Sequence, residues 1–247
     1  MNPASLISNE IIARELDDFL RQRFPRPAET VLDLGAGTRP YAPLYGRHFS
    51  RCVSVDVEHS PHDTESVDMI APAEDLPFPA NSFDCVICTE VLEHCADPWA
   101  AGAEIGRVLR PGGWAFVTTP FLVALHETPH DYHRFTPWGI IELATRSDLK
   151  VISIEPRGDY AAVAMLDLLW PVGKFWYSLF KTSGRDLYRA SNPLVWLTVI
   201  APQRAYVWLW LRIRRIQNGP LKSLHERLSR HTLGYIAILQ RPPADQA

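Results

Sequence analysis

Apolar residues recur at helical spacing near the start of the chain. Leu6, Ile7, Ile11, Ile12, Leu16, Phe19 and Leu20 form one stripe, interrupted by Glu10, Arg14, Glu15, Asp17 and Asp18. This predicts an amphipathic helix, capped near Ser8 or Asn9, rather than a signal peptide. After a Pro-rich lead-in at Phe24–Thr30 the pattern changes to short apolar runs separated by helical segments. Strands are predicted at Val31–Leu34, Arg51–Val57, Asp68–Ile70, Phe83–Thr89, Trp114–Thr119 and Leu149–Glu155, with a last one at Leu233–Gln240. Phe83–Thr89 is apolar throughout, as a strand covered on both faces requires. Helices are predicted at Asp97–Leu109, ahead of a Pro111-Gly112-Gly113 turn, and at Thr136–Thr145, with Thr136 as N-cap and Pro137 as first residue. Strands alternating with helices predict an α/β fold with a doubly wound, mostly parallel sheet. Residues 158–232 exceed what such a sheet needs. They are read as a helical insertion before the last strand, with the core in 1–157 and 233–247.

The chain has 247 residues, 47% hydrophobic and 21% charged, enough for one sizeable folded domain with an appendage. Its net charge of -3 conceals an asymmetry. Leu168–Thr232 holds eleven Lys and Arg against only Asp186 and Glu226, a local +9, which leaves -12 for the rest. The same segment holds five of the eight tryptophans. Basic residues interleaved with aliphatic runs do not read as a nucleic-acid surface. Of the four cysteines, Cys85 and Cys88 lie three apart on a predicted strand and so face opposite sides. With Cys52 and Cys95 they are expected to be reduced thiols of a cytoplasmic protein, not a zinc knuckle or redox pair.

The residues with the most chemistry follow the first predicted strand. Val31-Leu-Asp-Leu-Gly-Ala-Gly-Thr38 delivers Asp33 into a turn holding Gly35 and Gly37, and Asp56 closes the next strand. Glycines let the backbone approach a ligand closely, and an acid about 20 residues later can accept both hydroxyls of a ribose. The arrangement suits an adenosine-bearing cofactor.

Three more stretches follow in order: Ala73-Glu-Asp-Leu-Pro-Phe-Pro-Ala-Asn-Ser-Phe-Asp-Cys-Val86, Glu90-Val-Leu-Glu-His94 and Val108-Leu-Arg-Pro-Gly-Gly113. With them the chain resembles the class I S-adenosylmethionine-dependent methyltransferases, in the broad group that includes ubiquinone, menaquinone, sugar and glycolipid methyltransferases. The resemblance implies a Rossmann-like seven-stranded sheet with an antiparallel last strand, paired as a hairpin with strand six. It implies S-adenosyl-L-methionine as cofactor. Gly35 and Gly37 would lie against its methionine and ribose parts, with Asp33 orienting the turn and the cofactor's amino group. Asp56 would hold the ribose diol, Ala73 and Glu74 would lie at the adenine, and Thr89 would edge the methionine portion. Two departures stand out. Arg39-Pro40-Tyr41 replaces a frequent third glycine, and Pro72 stands where an acid often reads the adenine.

Methyl transfer from a sulfonium needs an aligned nucleophile, excluded water and sometimes a base. The densest candidate for these tasks is His126-Glu-Thr-Pro-His-Asp-Tyr-His-Arg-Phe-Thr136, after predicted strand five, where parallel sheets bind ligands. His130 or His133 is the candidate base, with Asp131 orienting one of them and His126 beside them. Arg134 is expected to hold an anionic acceptor, Tyr132 to pack on its ring, and His94 to lie near the transferred methyl. The alternative is a loop pinned by its own hydrogen bonds, with Arg134 paired to Glu127 or Asp131. His126, His130 and His133 are the set that would ligate a metal, but Pro129 breaks helical spacing between them, and no metal is expected.

Within the insertion, Ala161–Phe180 and Pro193–Leu211 are apolar but broken by Asp167, Pro171 and Lys174, and by Pro202, Gln203 and Arg204. Neither reads as a membrane span. Trp208-Leu-Trp-Leu211 followed by Arg212, Arg214 and Arg215 suits a helix lying on an anionic membrane surface. A helical lid or a homodimer surface is the alternative. The expected function is therefore a methyltransferase at the inner face of the membrane, acting on a lipid-linked or amphipathic acceptor such as a glycolipid, polyprenyl-linked sugar or quinone precursor. A soluble small-molecule methyltransferase and a non-catalytic cofactor-binding subunit are the competing expectations.

Overall fold

The structure, a computed structural model, describes residues 6–62, 65–182, 196–214 and 227–244. The chain divides into two compact units, Ala13–Glu155 with Gly234–Ala247, and Met1–Ile12 with Pro156–Leu233.

The first unit is built on a seven-stranded sheet. Its strands are β1 (Ala28–Leu34), β2 (Phe49–Asp56), β3 (Met69–Ile70), β4 (Phe83–Thr89), β5 (Leu109–Pro120), β6 (Lys150–Arg157) and β7 (Gly234–Gln240), in the order β3-β2-β1-β4-β5-β7-β6. β1 pairs in parallel with β2 and β4, β2 with β3, and β4 with β5, whereas β7 runs antiparallel to β5. The expected mostly parallel α/β sheet is present, and β7 lies between β5 and β6.

β4 shows why the fold holds. Val86 and Cys88 enter a core cluster with Leu32, Leu34, Val55, Ile105 and Leu143, while Cys85 and Ile87 are fully buried outside that cluster. Alternate side chains thus leave opposite faces, and both faces are covered. Each large aliphatic side chain so buried contributes about 1.5–3 kcal/mol. All four cysteines are free thiols.

Capping fixes where the flanking helices begin. Asp97 caps α3 (Pro98–Val108), accepting from the amides of Trp99 and Ala100 at 3.1 Å each. Thr136 caps α4 (Pro137–Arg146), accepting from the Gly139 amide at 3.2 Å. Pro occupies the first turn of both helices, where its missing N–H costs nothing. The amino-terminal helix α1 (Leu6–Arg23) buries Ile7, Ile11, Ile12, Leu16, Phe19 and Leu20 as its spacing predicts. Its cap is a correction, since Ser8 and Asn9 lie inside the helix. Strand β5 is a second correction. It runs through Pro111-Gly112-Gly113 to start at Leu109, because Phe83 pairs with Leu109 before a register shift. Only one short helix, α2 (Ala42–Tyr45), follows β1.

The second unit is mainly helical. α5 (Tyr160–Thr182) starts on Asp159, whose Oδ1 accepts from the amides of Ala161 and Ala162 at 2.9 and 3.3 Å and from the Tyr206 hydroxyl at 3.0 Å. A π-helical turn, Trp196–Ile200, leads into α6 (Ala201–Arg214). Gln203, Tyr206, Val207 and Trp210 are buried, so α6 is amphipathic at helical spacing. Arg204, Trp208, Leu209 and Arg212 are exposed, and the Arg212 guanidinium sits 4.2 Å from the Trp208 ring centroid. Among the described residues no helix is long and apolar enough to cross a membrane. Arg215 and Pro193, named in the sequence reading of this segment, lie outside the described residues.

Candidate active site

β1 and β2 end side by side and carry the two acids that flank the glycine turn. The Gly35 and Ala36 amides donate to the Val55 carbonyl at 2.9 and 3.0 Å, which holds the turn against β2. Gly35 and Gly37 have φ of +67° and +49°, the left-handed region that disfavours side chains. A Cβ on Gly35 would stand 2.2 Å from Val91 Cγ2, and one on Gly37 would stand 3.3 Å from the His62 ring. The Gly37 amide donates to Asp56 Oδ2 at 2.6 Å, and the Val57 amide to Asp56 Oδ1 at 2.7 Å. Each Asp56 oxygen spends one lone pair on the backbone and keeps others for a ligand.

Asp33 is buried beneath the turn and accepts from the Tyr45 hydroxyl at 2.6 Å. Burial pushes its carboxyl up to about 6, against the opposing pull of the Tyr45 hydrogen bond. Burial and the adjacent Asp33 hold the Tyr45 phenol well above its ordinary range. Where a third glycine is frequent, Arg39 takes φ +55° itself and donates to the Ser66 carbonyl at 3.1 Å. The chain therefore reaches α2 without a glycine. Ala73 is buried just beyond β3, with Glu74 half-buried beside it, and Thr89 is half-buried at the end of β4. All of the residues expected to hold the cofactor thus lie at the carboxyl edge of the sheet.

The histidine-rich segment joins β5 to α4 at the same edge. It docks through its backbone, with the Tyr132 and His133 amides donating to the Glu93 carbonyl at 2.8 and 3.2 Å. Arg134 grips Asp131 with two hydrogen bonds, of 2.5 and 2.7 Å, and also donates to the His133 carbonyl. This pairing spends much of the guanidinium inside the loop rather than on an acceptor. The Arg134 hydrogen bonds, aided by the His126 amide, hold the Asp131 carboxyl down at about 2.

Asp131 orients His126, a correction to the expectation that it orients His130 or His133. It accepts from the His126 amide at 3.0 Å and lies 3.4 Å from His126 Nδ1. Glu127, next to His126, has φ +50°, in the left-handed region. His130 Nδ1 instead shares a 2.9 Å hydrogen bond with the Tyr132 hydroxyl, and its ring lies 4.8 Å from that of His59. His133 Nε2 is buried without a hydrogen-bond partner among the described residues.

His94 is tied to this loop through Nδ1, 2.8 Å from the His130 carbonyl. Its Nε2 faces Glu93 at 3.7 Å and Glu127 at 3.6 Å. Sequence patterns gave no role to three residues that shape the site, Tyr45, His62 and Glu93, and offered Glu127 only as a partner for Arg134, whereas it faces His62 and His94. Glu93 stands in the Glu90-Val-Leu-Glu-His94 motif, which was its one signal. The partners of Tyr45 and His62 are distant in the chain and left none.

Residues 32–117, which hold the glycine turn, Asp56 and the Glu90–His94 motif, match the family described as a methyltransferase domain. The core carries a class I S-adenosylmethionine-dependent methyltransferase domain. A ubiquinone biosynthesis O-methyltransferase from Hahella chejuensis is 32% identical over 118 residues, 41% of this chain and 48% of that protein. The chain spans less than half the length of the curated relatives it matches. The methyltransferase domain's fold recurs in a putative sarcosine dimethylglycine methyltransferase from Galdieria sulphuraria. That structure has a TM-score of 0.56 at 15% identity, over 93% of this chain and 84% of that one. It recurs in phosphoethanolamine N-methyltransferase 2 of Haemonchus contortus, solved with phosphomonomethylethanolamine and S-adenosylhomocysteine. Here the TM-score is 0.53 at 17% identity, over 93% of this chain and 52% of that one.

Proposed function

We propose that this protein transfers a methyl group from S-adenosyl-L-methionine to a lipid-linked or amphipathic acceptor at an anionic membrane surface. The cofactor half rests on the Gly37–Asp56 hydrogen bond. It fixes a carboxylate suited to ribose hydroxyls beside a turn at which Gly35 has no room for a Cβ. These residues fit the cofactor, and a fold neighbour is solved with its demethylated product. Asp56 would take the ribose hydroxyls, and Asp33 would face the amino group of the methionine end. Ala73 and Glu74 would lie at the adenine and Thr89 at the methionine chain.

When bound, the cofactor would supply a methyl group activated by a sulfonium, whose carbon an aligned nucleophile attacks in line as the carbon–sulfur bond breaks and its electron pair leaves with the thioether sulfur. The loop from β5 to α4 is the part of the chain that aligns the acceptor. Tyr132 offers it an exposed ring. His133 Nε2 has no competing partner among the described residues and would accept the acceptor's proton once the loop uncovers it. Asp131 and Arg134 keep the loop in shape.

The acceptor class rests on the outer face of α6. Trp208 and Leu209 are exposed at 57% and 49%, flanked by Arg204 and Arg212. Exposed rings beside basic side chains suit headgroup depth and anionic lipid. The ubiquinone O-methyltransferase relatives make a quinone precursor one member of this acceptor class.

The test is transfer of labelled methyl from the cofactor into whole-cell lipid and glycan extracts. Label in one lipid-soluble product is expected. Label only in water-soluble small molecules would overturn the acceptor class, and no label in any fraction would overturn catalysis.

A further inference from the structure

Outside the cofactor cradle, the turn after β4 and the loop after β5 bring three metal-ligating side chains together. Donor atoms of Glu93, His94 and His126 all lie within 4.8 Å of one another. Glu127 borders them, its Oε2 lying 3.6 Å from His94 Nε2 while its Oε1 lies 3.2 Å from His62 Nε2. This is not the set expected from the sequence, since His130 and His133 take no part in it. We propose that Glu93, His94 and His126 form a binding site for a divalent first-row transition ion such as Zn2+, with Glu127 turning in from beside His94 as the fourth ligand.

Three observations carry this. The first is spacing. Donors about 2.1 Å from a tetrahedral ion stand about 3.4 Å from each other. His94 Nε2 lies 3.7 Å from Glu93 Oε1 and 3.6 Å from Glu127 Oε2, outside hydrogen-bond range but close to that edge length.

The second is the orientation of the two imidazoles. A ligating histidine usually gives its other ring N–H to a carbonyl or carboxylate, which fixes the tautomer and aims the lone pair at the ion. His94 Nδ1 lies 2.8 Å from the His130 carbonyl, leaving Nε2 to face the cluster. His126 Nδ1 lies 3.2 Å from the Ala124 carbonyl and 3.4 Å from Asp131 Oδ2, which likewise leaves its Nε2 as the donor.

The third is setting. The Glu93 side chain is wholly buried and that of His94 is 17% exposed, while His126 and Glu127 are 32% and 29% exposed, so the site has a shielded floor and a side open for an ion to enter. Two imidazoles with two carboxylates select a first-row ion over Mg2+ or Ca2+, which prefer all-oxygen shells. The ion would clamp the acceptor loop onto the turn after β4. The proposal does not depend on methyl transfer.

The test is equilibrium binding of Zn2+ and Co2+ to the purified, metal-stripped chain against a chromogenic chelator. One equivalent per chain is expected, with visible absorption of four-coordinate Co2+, and no competition from millimolar Mg2+. His94→Ala and His126→Ala should each weaken binding at least tenfold, and Glu127→Gln, on a more exposed side chain, should do so without unfolding risk. His48→Ala, at the opposite edge of the sheet, should bind as the parent does. Circular dichroism confirms that each variant is folded. No stoichiometric uptake by the parent chain, or unchanged uptake in folded His94→Ala, His126→Ala and Glu127→Gln, would overturn the site. Equal displacement by Mg2+ would overturn the choice of ion.

Discussion

The Gly37 amide and the Asp56 carboxylate meet across 2.6 Å, so the turn after β1 and the end of β2 act as one element. Asp56 Oδ1 is held equally firmly by the Val57 amide, at 2.7 Å. A carboxylate fixed on both oxygens loses little freedom when a ribose arrives, which is the physical meaning of a preorganised site.

Replacing Asp56 with Ala removes the proposed ribose acceptor and frees the Gly37 amide. Hydrogen bonds to a charged group contribute about 1.5–3 kcal/mol, so S-adenosylhomocysteine should bind about 10- to 100-fold more weakly. Calorimetry of the folded variant checks this. Unchanged affinity would remove Asp56 from the cofactor site.

Gly35→Ala meets two separate obstacles. A side chain at φ +67° costs about 1–2 kcal/mol, and contact with Val91 adds overpacking of about 1–3 kcal/mol. Denaturant unfolding should show a loss of about 2–5 kcal/mol. Adding Val91→Ala should recover the overpacking share but not the backbone share. Full recovery would mean that the left-handed conformation carries no cost.

Much of this was legible because it is local. Asp97 and Thr136 cap their helices within three residues, and Gly35, Gly37 and Asp56 are set by a turn and two strand ends. Ser8 and Asn9 misled because capping residues also occur inside helices whose apolar stripe extends past them. Leu109 joined β5 rather than α3 because pairing with Phe83 outweighed helical periodicity. The loop from β5 to α4 was legible in content but not in wiring. Its shape depends on the Tyr132 and His133 amides finding the Glu93 carbonyl, nearly 40 residues earlier, and on Arg134 turning back to Asp131. No sequence period encodes such contacts.

Asp33 makes stability depend on pH. Its folded pKa of about 6 lies above the ordinary 3.8, so between those values the folded state holds a proton that the unfolded state has released. Stability therefore falls as pH rises through that window, by roughly 3 kcal/mol in all. Asp33→Asn should flatten this slope. Cofactor affinity should run the other way, rising above about pH 6 as Asp33 ionises and attracts the ligand's amino group. Urea midpoints and calorimetry from pH 4 to about 8 measure both.

Arg134→Lys keeps the charge but loses the two-pronged grip on Asp131. The loop should loosen, with a stability loss of about 1–3 kcal/mol and faster amide exchange at Tyr132 and His133. Binding of S-adenosylhomocysteine should be unchanged. If cofactor affinity fell as sharply as in Asp56→Ala, Arg134 would belong to the cofactor site instead.

Flotation with vesicles tests the outer face of α6. Binding is expected with anionic lipid and should weaken in high salt, since surface charge attraction is screened within about 8 Å at physiological ionic strength. Trp208→Ala with Arg212→Ala should reduce it severalfold. No flotation with any vesicle would leave the exposed Trp208 and Leu209 to another role.

The most direct measurement of the central claim is titration of the purified chain with S-adenosylhomocysteine, followed by heat and by thermal unfolding. One binding site per chain and a rise in Tm with ligand concentration are predicted, with both responses lost in folded Asp56→Ala. A chain that takes up no ligand and melts at the same temperature throughout would contradict the assignment of the Gly35 turn and Asp56 as a cofactor site.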